Sequence, residues 1–145
     1  MAKKIINNLS KDDIIALYKY VCRYEICIKS NKEQFNINNQ ELEKLIKAHD
    51  IYLDTCAKKK LARAHKHKNY ILFEQYCKSK ASGKDKAHHL MRHVRNSIAH
   101  GHIKKDNAYE SFILYDNNGK NDTMWGKIGV KSFFELIEKL ENSKK

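Results

Sequence analysis

The sequence predicts a mainly α fold: a bundle of four to five helices, with one small β-hairpin before the C-terminal helix. Three observations lead there. The 145 residues include no proline and only five glycines, so little interrupts a helix. Apolar residues recur at helical spacing through most of the chain ahead of residue 103. Late in the chain, turn-rich "NNGKND" separates the β-prone runs "YESFILYD" and "MWGKIGV".

The first helix is expected from about Ser10 to Lys29. Ser10 can cap it, and Asp13 stands where a capping box needs an acceptor. Ile14, Leu17, Tyr18, Val21, Cys22 and Ile28 form its apolar stripe. Glu25 lies within that stripe, so it either rolls out to solvent or sits in a polar pocket. A buried carboxylate is costly unless paired, which makes Glu25 a supporting candidate. After the loop "SNKEQFNINNQ", a second helix is expected from about Asn39 to His65, with Leu42, Leu45, Ile46, Tyr52, Leu53 and Cys56 on its stripe. His49 falls on the same stripe and reads as a core histidine or a support residue.

A shorter helix follows from about Tyr70 to Lys78. "SKASGKD" breaks the chain, and the next helix runs from near Lys84 to Gly101, a residue suited to a left-handed cap. The hairpin comes next, and "KSFFELIEKLEN" closes the chain as an amphipathic helix. Trp125 and Tyr115 in the hairpin can either cover the bundle or contact bases. The whole reads as a single domain over 1–145, with the hairpin and last helix an elaboration at about 108–142.

Composition narrows the function classes. With 41% apolar and 32% charged residues, the chain reads as globular rather than disordered. No run of about 18 apolar residues exists, so no membrane span is expected. The N-terminus lacks the apolar core of a signal peptide. Four cysteines without a C-x-x-C pair suit reduced thiols in the cytoplasm, and Cys22 and Cys56 read as packing residues. Residues 51–105 carry 14 Lys and Arg against 3 Asp and Glu, nearly all of the chain's +12. A concentrated basic region suits a polyanion such as RNA, set against a solvated lysine-rich face.

Chemistry concentrates in "HHLMRHVRNSIAHGHI", residues 88–103, which holds five of the eight histidines. On a helix, Ala87, Leu90, Met91, Val94 and Ile98 gather on one side, and His89, His93, Asn96 and His100 on the other. That polar line has no acid, and Arg92 and Arg95 flank it. His89 and His93 at i and i+4 can reach one ion, but no carboxylate lies between His88 and Lys105 and two arginines oppose a cation. No metal and no cofactor is expected.

Phosphate chemistry fits better. RNA cleavage without a metal needs a proton taken from a ribose 2′-OH, charge offset at the phosphate, and a proton given to the departing 5′-oxygen. Histidine suits proton transfer and arginine suits phosphate. Asparagine can orient either. Arg95, Asn96 and His100 supply all three types.

"RNSIAHG" resembles the R-x(4–6)-H signature of the HEPN superfamily, in which the residue after the arginine is commonly Asn, Asp or His. The helical plan over about residues 10–103 is similar too, so the expected bundle is HEPN-like. The resemblance implies metal-independent endoribonuclease activity through 2′-OH attack, leaving a 2′,3′-cyclic phosphate, in a toxin, defence or stress-response factor. Arg95 would bind the phosphate, His100 transfer protons, and Asn96 support both. A non-catalytic module binding nucleotide, RNA or protein is the alternative, and an antitoxin protein is the partner a toxin implies. The resemblance also implies a homodimer with a shared cleft. That would relieve a difficulty, since Arg95 and His100 point about 140° apart on one helix. Arg92, His93 and His102 lie outside the motif and can extend the cleft.

Overall fold

The computed structural model describes residues 8–29, 35, 39–55, 64–73, 86–106, 108, 110–117, 119–120 and 122–143. The architecture is α+β, not a mainly α bundle. Among the described residues, four α-helices accompany a five-stranded mixed sheet.

Helix α1 spans Lys11–Arg23 and starts with the expected capping box: Asp13 N–H donates to Ser10 Oγ at 3.0 Å, and Ser10 N–H to Asp13 Oδ2 at 3.2 Å. It runs on into a π-helical turn, Tyr24–Ile28. Its buried side is rotated from the expected stripe. Leu17, Tyr20, Tyr24 and Ile28 are buried, and Tyr20 Oη donates to the Met91 carbonyl at 2.8 Å. Tyr18 and Cys22 face outward instead, so the packing role expected for Cys22 does not hold; Cys56 lies outside the described residues.

Helix α2, Gln40–Ala48, is capped by the Asn39 side chain and ends far short of His65. Asp50 stops it at φ +49, in the left-handed region that Asp tolerates better than most residues. The Asp50 carboxylate then accepts from Lys68 N–H at 2.9 Å and meets His67 Nδ1 at 2.7 Å. Those contacts bring strand β1, Ile51–Thr55, alongside strand β2, Asn69–Phe73, in parallel register. The expected helix at Tyr70–Lys78 is therefore β2 as far as Phe73, and 74–78 lie outside the described residues. A short apolar run such as "NYILF" satisfies a buried strand as readily as a helix, and its neighbours decide.

Helix α3, Lys86–Ala99, carries the histidine-rich stretch. Strands β3, Ile103–Asp106, β4, Ser111–Asn117, and β5, Asp122–Gly129, follow, and helix α4, Val130–Glu141, ends the fold. The sheet order is β1-β2-β5-β4-β3, with every pair antiparallel except β1–β2. The expected hairpin is β4–β5, built into a larger sheet through β2 and β3.

Ile71, Phe73, Met124, Ile128, Phe112 and Leu114 share one sheet face by register, and they join Leu17, Leu42, Leu90, Met91, Val94, Phe133 and Leu136 in a single core. The described helices therefore cover this face. The opposite face carries Leu72 and Thr123, both buried, together with Tyr70, Trp125, Lys127 and Ile113, and it is exposed at Tyr115 and Lys104. Among the described residues, no helix is long and apolar enough to cross a membrane.

Candidate functional site

Helix α3 lies within the fold, against α1 and the π turn on one side and β4 on the other. Its polar line is consequently not a solvated face. His89 and His93 are almost wholly buried, and His88 packs edge-on against Phe35. Buried polar rings need partners, and His93 finds one on β4. Its Nδ1 is 2.8 Å from Asp116 Oδ2, and its Nε2 is 3.4 Å from Arg92 Nη2. Arginine can only donate, so the Nδ1–H tautomer satisfies both contacts.

The same Asp116 Oδ2 accepts from Asn96 Nδ2 at 3.2 Å, and Asn96 Oδ1 accepts from Arg95 Nη1 at 3.0 Å. Arg95 Nε lies 2.8 Å from Glu25 Oε1, a charge contact in which the N–H is not aimed at the oxygen. Glu25 sits in the π turn, a helical irregularity common at functional sites. Lys29 Nζ approaches its other oxygen at 3.4 Å. Glu25, Arg95, Asn96, Asp116, His93 and Arg92 are thus one connected polar network. Burial pushes the Asp116 carboxyl up, but hydrogen bonds from His93, Asn96 and the Asn117 N–H outweigh it. The net result is a pKa below the usual carboxylate range.

Asp116 was missed from the sequence, although a signal existed. In "SFILYD", Phe112, Leu114 and Asp116 alternate onto the core face, and a carboxylate there demands a partner.

A second cluster forms where α3 ends. Gly101 adopts φ +72, its N–H donates to Ile98 O at 3.1 Å, and His102 N–H donates to Ser97 O at 2.7 Å, a Schellman turn. The turn leaves His100 exposed, with its ring 5.8 Å from His102. His102 stacks on Tyr115 at 4.3 Å with a 9° interplanar angle. A cleft of about 270 Å³ opens beside them, lined by Gly101, His102, Ile103, Lys104, Ile113 and Tyr115. Tyr115 and Trp125 lie on the sheet face turned away from the described helices, so they do not pack on the core beneath those helices.

His49 stands apart from both clusters. It caps α2, with Nδ1 2.6 Å from Ser132 Oγ and Nε2 2.8 Å from Glu135 Oε2, and so ties α2 to α4.

The sequence profile of the HEPN pEK499 p136 family matches residues 4–143. The chain belongs to this HEPN family. No curated protein and no solved structure matches it. The HEPN assignment spans the β-strands as well as the helices, so in this chain the Arg95–His100 motif is set in an α+β frame rather than in a bundle.

Proposed function

We propose that this HEPN chain is a metal-independent endoribonuclease that cleaves RNA by attack of a ribose 2′-OH on the adjacent phosphate. One observation carries the reading. Arg95 is held in place by Glu25 and by the Asn96–Asp116 pair, and the same helix presents His100 to solvent one turn later. Arg95 offsets charge on the phosphate, and Asn96 orients it. His100 takes the 2′-OH proton as the 2′-oxygen bonds to phosphorus. The P–O5′ bond breaks, and O5′ leaves with a proton, giving a 2′,3′-cyclic phosphate and a 5′-OH end.

One helix cannot aim Arg95 and His100 at one point, because they project about 140° apart. A two-fold cleft between copies removes the conflict, and it supplies two imidazoles, one to accept and one to donate. Ile15, Tyr18, Cys22 and Ile26 form an exposed apolar row on α1 and the π turn, with Ile26 77% exposed next to Glu25. Such a row suits self-association. A role as a cytoplasmic toxin, defence or stress-response factor fits this activity, with a neutralising antitoxin protein as partner.

The test is single-stranded RNA with purified protein in EDTA. The wild type should cut, and His100→Ala should be slower by roughly 10²–10⁴-fold. Equal rates, or a need for a divalent ion, would sink the mechanism. A second reading, a non-catalytic RNA- or nucleotide-binding HEPN module, is favoured by the occupation of Arg95 by Glu25. RNA binding without cleavage by a dimeric sample would establish it.

A further inference from the structure

We propose that the open end of the sheet's outer face is a base-binding subsite, where one nucleobase of single-stranded RNA stacks beside Tyr115. The inference rests on RNA being the ligand of the His100 site. Four observations support it. Tyr115 is an aromatic left 41% exposed near the β3 edge of the sheet face turned away from the described helices. One side of its ring is already stacked on His102, which fixes the plane against which a further ring would align. The adjoining cleft, about 270 Å³, is smaller than the ~300 Å³ at which pockets for drug-sized ligands begin, so it suits one base rather than a whole cofactor.

The fourth observation is position. The rings of His100, His102 and Tyr115 follow one another at 5.8 and 4.3 Å, so a strand whose phosphate reaches His100 passes its next base over the cleft. Lys104 is exposed on the cleft rim and adds a cation for the strand's backbone. Aromatic side chains on a sheet, flanked by cations, bind single strands through base stacking with little sequence preference. Chain entropy favours Tyr115 further, because a ring held by a neighbour loses little freedom on binding.

The experiment is fluorescence anisotropy with a 2′-O-methyl oligoribonucleotide, which lacks the nucleophile and reports binding alone. Tyr115→Ala should weaken binding roughly 5- to 100-fold, the range for loss of one stacked base. Tyr115→Phe should retain affinity, because the ring and not the hydroxyl is used. An abasic substitution at one position should weaken the wild type and cost Tyr115→Ala nothing further. As a check that needs no variant, emission from Trp125, the chain's one tryptophan and the cross-strand neighbour of Tyr115, should change with the intact strand and not with the abasic one. Wild-type affinity in folded Tyr115→Ala, no binding by the wild type, or mononucleotides binding as tightly as the strand would each overturn the subsite. Base-dependent binding without any cleavage would uphold the subsite and remove only the catalytic reading.

Discussion

Asp116 Oδ2 lies 2.8 Å from His93 Nδ1, with both side chains buried and the two residues 23 positions apart in the chain. This contact joins the hairpin to the motif helix, and the oxygen also accepts from Asn96. Asp116→Ala removes the acceptor shared by both. We expect a loss of about 3–5 kcal/mol, the usual cost of breaking a buried pair from one side. Urea unfolding monitored by circular dichroism measures it, and a change under 1 kcal/mol would mean the pair is no stronger than a surface contact.

The same carboxyl gives a pH dependence. Its folded pKa lies below the usual value, so its stabilisation is present above the unfolded pKa of about 4. It is lost as pH falls through the folded value. Unfolding free energy should therefore drop below about pH 4, and less steeply in Asp116→Asn. Denaturation curves from pH 2.5 to 7 should give parallel slopes in the acid range if Asp116 is uninvolved.

Glu25 contacts Arg95 at 2.8 Å, so under the proposed function it would compete with phosphate for that side chain. The pair is partly exposed, with Arg95 at 27% and Glu25 at 35%, which limits its strength to about 0–1 kcal/mol. Glu25→Gln should tighten binding of a non-cleavable RNA by up to about fivefold at low salt. Weaker binding would show instead that Glu25 orients Arg95 for the ligand.

Gly101 takes φ +72, and a Cβ there would meet nothing within 4 Å. Gly101→Ala therefore tests backbone strain without a clash. We expect about 1 kcal/mol of destabilisation, with Gly101→Asn milder because Asn tolerates this region. RNA cleavage should fall in both, since the turn sets the direction of His100.

The apolar row on α1 predicts a dimer at micromolar concentration. Ile26→Asp should yield a folded monomer by light scattering, with RNA cleavage lost. A wild-type monomer that cleaves would place the whole site within one chain.

Local features were legible in the sequence. The capping box at Ser10, the hairpin signal at "NNGKND" and the amphipathic last helix each depend on neighbours a few residues apart. The Arg95–Asn96–His100 spacing was legible for the same reason. Strands β1 and β2 were not, because "IYLDT" and "NYILF" fit either period, and their pairing depends on Asp50 reaching Lys68. Helical projection separated the faces of α3 but treated the polar face as wet. Packing between α1 and β4 makes much of it dry, and only then does His93 require Asp116.

By itself the sequence determined membership in a HEPN family, the motif and its order along one helix, and the basic middle of the chain. Tertiary structure alone decided that Asp116 holds His93 and Asn96, that Glu25 occupies Arg95, and that Tyr115 is exposed on the sheet face turned away from the described helices. The physical reason is range. Caps, turns and helical periods are written within a few positions, whereas strand pairing and burial of charge depend on residues brought together only when the core forms.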